Sequence, residues 1–146
     1  MITIDIPEDP TPWSAPRLSP YGAYDIKAGK KSLTRAFIQS DYQDDLIPGY
    51  VAVSIDLFYP VPKRATKGTR ADMIEGKIFP TKSDCTNCQK YYEDCLKGIV
   101  FEDDRNVIAI VTHKWYAIEG HVLIKIWPYE EYMEDIYWPS KEPEIL

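Results

Sequence analysis

The sequence predicts an α+β fold, a small mixed sheet of about four strands with two main helices packed mostly on one side. Three observations lead there: segments with the alternation or β-branched density of strands, two segments with helical apolar spacing, and their order of strand, helix, strand, basic loop, helix and hairpin. At 146 residues the chain has ordinary single-domain length, enough to bury a core without disulfides or a structural metal.

Residues 2–6, ITIDI, alternate apolar and polar and form the first strand, which Pro7 ends. Five prolines from Pro7 to Pro20 make the next stretch an extended loop in which Arg17 is the only base. Leu33, Phe37 and Ile38 have helical spacing behind Ser32 as a cap, so the first helix runs from about Ser32 to Asp41. Pro48-Gly49 is a turn, and Tyr50 to Tyr59, YVAVSIDLFY, is the clearest strand, stopped by Pro60 and Pro62. Residues 63–82 form a basic connection with one helical turn around Ala71 to Glu75. Thr86 and Gln89 read as a capping box opening the second helix, which Gly98 closes in a left-handed conformation. On its wheel Cys88, Tyr91, Tyr92, Cys95 and Leu96 share one side, while Thr86, Lys90, Glu93 and Lys97 line the other. Val107 to Ala117 and His121 to Trp127 read as two strands of a hairpin joined through Glu119-Gly120. The expected division is a folded domain over 1–128 and an acidic, aromatic extension over 129–146.

No window approaches the roughly 18 uninterrupted apolar residues of a membrane span, so no membrane partner is expected. The N-terminus lacks the basic start and long apolar run of a signal peptide, and three cysteines cannot all pair internally. Both point to a cytoplasmic location with reduced thiols. A net charge of −6 argues against nucleic acid at first reading. The residues from Tyr129 onward carry −5 of it, however, leaving −1 for residues 1–128. Between Pro60 and Lys97 eight bases outnumber five acids. The middle of the chain is therefore locally basic, a pattern shared by solvated surfaces and phosphate-binding faces.

The stretch Lys82 to Asp104 concentrates the chemistry: Asp84, Lys90, Glu93, Asp103 and Asp104. Carboxylates converging on one point require a cation or protonation, and magnesium suits them because it accepts one or two carboxylates with water and phosphate oxygens. Such a set fits phosphodiester hydrolysis, with a lysine stabilising charge on the reacting phosphate or protonating the leaving group. The same spacing also suits Asp84 as a helix cap, Lys90 and Glu93 as surface residues, and Asp103-Asp104 as a turn. Cys85, Cys88 and Cys95 lack a complete zinc ligand set, and Cys88 and Cys95 belong to the apolar face. With no glycine-rich phosphate loop and no G-x-S-x-G elbow, neither a nucleotide cofactor nor serine-hydrolase chemistry is expected.

These residues resemble the RusA-type Holliday junction resolvases of bacteriophages and prophages. That family's pattern is an Asp-x-Asp-Asn opening a helix, a Lys four residues on, an Asp-x-Leu-x-Gly closing it, and a double Asp before a strand. Here it stands as Asp84-Cys85-Thr86-Asn87, Lys90, Asp94-Cys95-Leu96-Lys97-Gly98 and Asp103-Asp104, preceded by a Pro-rich, Lys-rich approach and by a loop with Pro16, Arg17 and Tyr24. The likeness spans roughly residues 1–127.

The resemblance implies a homodimeric nuclease domain that cuts four-way DNA junctions in pairs with Mg2+ or Mn2+, in the cytoplasm of a bacterial host. It implies Asp84 and Asp104 as metal ligands and Lys90 as the catalytic lysine. The second motif Asp is Thr86 here, so Glu93, further along the same stripe, is the expected substitute ligand, with Asp103 completing the set. Arg17, Lys63, Arg64, Lys67, Arg70 and Lys82 are the expected DNA-binding residues. The alternatives are a weakly active or inactive junction-binding protein, following from Thr86, and a protein-contact role on the same scaffold, suggested by the pI of about 4.9.

Overall fold

The computed structural model describes residues 1–137. A mixed four-stranded sheet is formed by β1 (Ile2–Ile6), β4 (Val51–Pro60), β5 (Val107–Ala117) and β6 (His121–Pro128), in the order β1-β6-β4-β5. A separate two-stranded pair is made by β2 (Arg17–Ser19) and β3 (Gly22–Tyr24). The helices are α1 (Ala28–Asp41), α2 (Lys67–Ile74), α3 (Cys85–Leu96) and α4 (Tyr129–Tyr132).

β4 organises the sheet. Its alternate residues Val51, Val53, Ile55, Leu57 and Tyr59 are buried in the core, whereas Ser54, Asp56 and Phe58 are half-buried on the opposite face. Its neighbour β5 is parallel and β6 is antiparallel. A parallel neighbour requires a crossover, and the long connection from β4 to β5 supplies it with α2 and α3. Cys88, Tyr91, Tyr92, Cys95 and Leu96 of α3 are all buried, as the wheel predicts, and join Ile38 of α1 and the inward residues of β1, β4 and β6 in one core. The Tyr91 and Tyr92 rings meet edge to face at 5.0 Å, and burying side chains of this size contributes about 1.5–3 kcal/mol each. Burial also pushes the Cys88 thiol up and the Cys95 thiol up to about 12, so both behave as small core residues.

The expected hairpin is not formed: β4 lies between β5 and β6, and these two strands do not pair. Residues 118–120 instead carry the chain over the end of β4, a step of about 10 Å that three linking residues can span. A Cβ on Gly120 would lie 3.1 Å from Pro60 Cδ and 1.9 Å from Asp9 Oδ1. This glycine therefore marks a close crossing rather than a turn.

Other boundaries also move. The first helix begins at Ala28 rather than near Ser32, because its opening turn is held by tertiary ion pairs, Lys30 to Glu8 at 3.1 Å and Lys31 to Asp25 at 3.7 Å. The single turn expected near Ala71 is the two-turn helix α2, capped by Thr66. The loop expected to be extended contains the β2–β3 pair, turned by Pro20-Tyr21 with Gly22 at φ 115°. Gly98 does close α3 in the left-handed region, at φ 81°.

Beyond β6, the Tyr129 amide donates to the Tyr50 carbonyl at 2.9 Å, and Tyr132 packs on Trp127 with ring centroids 6.1 Å apart. Tyr132 and Ile136 thus lie over Ala52, Ser54 and Val111, on the face away from α3. Residues 138–146 of the expected extension lie outside the described residues. Among the described residues no helix is long and apolar enough to cross a membrane.

Candidate active site

The residue that opens α3 is Asp84, not Thr86. Its Oδ1 accepts the Asn87 amide at 2.7 Å, and Oδ2 faces Asn87 Nδ2 at 3.4 Å, the usual service of a carboxylate at an N-cap. Thr86 and Gln89 mimic the pattern two residues late; Gln89 instead accepts a hydrogen bond from Thr112 of β5 at 2.9 Å. Just before the cap, Ser83 has φ 62° and its carbonyl is held by Lys114 Nζ at 3.0 Å. This conformation is costly for any side chain. Ser83→Gly should leave thermal stability unchanged or raised, whereas Ser83→Val should lower it by about 1–2 kcal/mol. Equal melting of the two variants would show that the backbone there is free to relax.

Thr86, Lys90, Glu93 and Lys97 point away from the core, within an arc of about 60° on the helix. Lys90 is exposed and its ammonium sits 3.6 Å from the centroid of the Trp13 ring. Glu93 is half-buried, and its carboxyl is raised above the usual range by burial, then by the charges of Asp104 and Asp94. Lys97 Nζ lies 3.3 Å from Asp104 and 3.8 Å from Asp103, and the hydrogen bond it donates to Asp104 is the main reason its ammonium is held above its ordinary value. Partial burial works to raise Asp104, but a backbone hydrogen bond, Lys97 and Asp103 together bring it below the ordinary value. A short 3-10 turn, Asp104–Asn106, positions it: the Asp103 amide donates to Asn106 Oδ1 at 3.0 Å. The outer Asp103 oxygen faces Arg105 Nε at 3.6 Å.

The structure thus ties Lys97 to Asp104 and Asp103, with the charge of Asp104 acting on Glu93 one turn back, while Asp84 stands at the opposite end of α3. Nine residues of helix separate Asp84 from Glu93, about 13 Å along the axis. Among the described residues no three Asp, Glu, His or Cys side chains converge closely enough to hold one ion. Glu93 with Asp104 matches the smallest carboxylate set that magnesium accepts. The Glu93 carboxyl is raised mainly because it is half-buried, with the charges of Asp104 and Asp94 adding to the effect. His121 stacks on Phe58 and His113 faces Asp56 at 3.8 Å, both on the sheet face away from α3.

Arg17 lies on β2, Lys63 and Arg64 follow β4, Lys67 and Arg70 are one turn apart on α2, and Lys82 precedes Ser83 beside a cleft lined by Tyr59, Pro60 and Tyr116. All six are exposed, and none forms an ion pair among the described residues. Two residues near α3 have no signal in the sequence. Trp13 sits in the proline-rich loop, where no period exists to place it. Glu8 follows Pro7 but is buried, accepting from Thr34 Oγ1 at 2.8 Å and from the Tyr92 hydroxyl at 3.1 Å.

A helix that presents a lysine and a carboxylate on its solvent face, followed by an acidic turn, is an arrangement suited to phosphodiester chemistry. The model of the family described as Endodeoxyribonuclease RusA matches residues 9–127, which include all of these residues. The chain belongs to the RusA endodeoxyribonuclease family. It is also similar to YqaN, an uncharacterized protein of Bacillus subtilis (strain 168), with 27% identity over 95 residues covering 62% of this chain and 67% of that protein.

Proposed function

We propose that the protein is a divalent-metal-dependent endonuclease that resolves four-way DNA junctions by paired phosphodiester hydrolysis, acting as a homodimer in the bacterial cytoplasm. The observation that carries this reading, beside family membership, is the solvent-facing row of Lys90, Glu93 and Lys97 along α3, which Lys97 joins to Asp104 and Asp103. Glu93 and Asp104, with Asp103 adjacent, would hold Mg2+ or Mn2+, which supplies polarisation of a phosphate oxygen and of an attacking water. Lys90 would stabilise negative charge on the phosphate with its three donors. Asp84 is the weaker of the proposed ligands, because the Asn87 amide and the positive end of α3 already satisfy its carboxylate. A homodimer suits a junction of two-fold symmetry that needs paired cuts.

A second reading, junction binding without cutting, is favoured by Thr86 at the position of a motif acid and by the lack, among the described residues, of three such side chains close enough to hold one ion. A labelled synthetic four-way junction, with and without Mg2+ or Mn2+, separates the two. Symmetric nicks only with metal support the enzyme, and a metal-independent shift without nicks supports the binder. The free cations give a second test. Neutralising Lys63, Arg64 and Lys67 together should flatten the dependence of log affinity on log salt by about 2–3, and an unchanged slope would remove them from the interface.

A further inference from the structure

We infer that Trp13 is a positioning residue for Lys90, holding its ammonium over the indole face so that the lysine is aimed and charged before DNA arrives. The inference rests on the endonuclease reading above.

Lys30, Lys31, Lys77 and Lys97 are all engaged by carboxylates. Lys90 makes no ion pair among the described residues and lies instead on an aromatic ring. The distinction matters chemically. A carboxylate partner would occupy the ammonium's donors and cancel its charge, whereas an indole face attracts the cation without accepting a classical hydrogen bond or a proton. Lys90 thus loses the rotameric freedom of a long exposed side chain while keeping its charge and donors for a phosphate.

The ring is not there by chance contact. The Trp13 amide donates to the Asn87 carbonyl of α3 at 2.9 Å, one turn before Lys90. The Thr11 amide donates to the Tyr92 hydroxyl at 3.1 Å, and the same hydroxyl donates to Glu8. Lys27 donates to the Pro12 carbonyl from the other side. Residues 8–13 therefore form a strap registered on α3 at several points, and buried Glu8 is its anchor.

The test uses the full chain with Trp13→Leu and Trp13→Phe. Three quantities are read: single-turnover cleavage of a four-way junction in Mg2+, junction affinity without divalent metal, and the ring-current shift of the Lys90 ε-methylene protons. Trp13→Leu should slow cleavage about tenfold, keep affinity within about twofold, and abolish the upfield methylene shift. Trp13→Phe should restore most of the rate. An unaltered rate in Trp13→Leu, an equal loss in both variants, or a wild-type chain without the upfield shift overturns the inference. A wild-type chain that shows the shift but never cuts overturns the endonuclease reading instead, and leaves Trp13 a structural contact.

Discussion

Glu93→Gln is expected to lower Mg2+-dependent junction cleavage by about a hundredfold or more, while leaving metal-free junction binding intact. The substitution keeps size and shape but replaces a charged ligand with a neutral one, which a hard dication binds far less well. The same change should make the protein melt at a slightly higher temperature at neutral pH. The Glu93 carboxyl is raised in the folded chain by burial, Asp104 and Asp94. The native state therefore holds that proton more readily than the unfolded state. The charged form weakens the fold once pH rises through the raised value, and the advantage of Gln should vanish below the ordinary carboxylate range. Activity lost while stability rises cannot be ascribed to misfolding. A Gln variant that cuts like the wild type would sink the role of Glu93, and with it the idea that this residue replaces the acid missing at Thr86.

Glu8→Ala is expected to cost about 2–3 kcal/mol, a drop in melting temperature of roughly 5–10 °C for a chain of this size. Glu8 Oε1 is shared by the hydroxyls of Thr34 and Tyr92, while Oε2 takes no hydrogen bond and faces only Lys30 Nζ at 3.1 Å. Truncation leaves the buried Tyr92 hydroxyl without its acceptor and takes one partner from the Thr34 hydroxyl, which keeps the Lys30 carbonyl at 3.1 Å. Tyr92 is held in its neutral form, chiefly by burial and then by Glu8, so it cannot compensate by ionising. Glu8→Gln retains an acceptor for the two hydroxyls and should lose much less. Equal melting of the Ala and Gln variants would show that the ion pair, not the hydrogen bonds, holds the strap.

What the sequence discloses follows from the range of each signal. The two faces of α3 are legible because Cys88, Tyr91, Tyr92, Cys95 and Leu96 repeat at the helical period, a purely local property. The mixed four-stranded sheet is legible for the same reason, strand by strand. Its order is not, because the parallel pairing of β4 with β5 joins segments far apart in the chain, while proximity and a glycine falsely favour a hairpin. The expected carboxylate cluster illustrates a second limit. A wheel gives the angle of Asp84, Lys90 and Glu93 but suppresses distance along the axis, and that distance separates Asp84 from Glu93. Trp13 and Glu8 stand in irregular backbone, where position depends wholly on the partners met after folding.

The register of β1 on β6, with Ile2 opposite Ile126, also orders events in time. β1 is made before β4 and β5, yet among the described residues its sheet partner is β6, made after both, and β6 must also pair with β4. The nascent chain can assemble the β4–α3–β5 half early, but β1 must wait until β6 has emerged. Chains truncated before β6 are accordingly expected to leave ITIDI an unpaired strand, open to pairing with other chains.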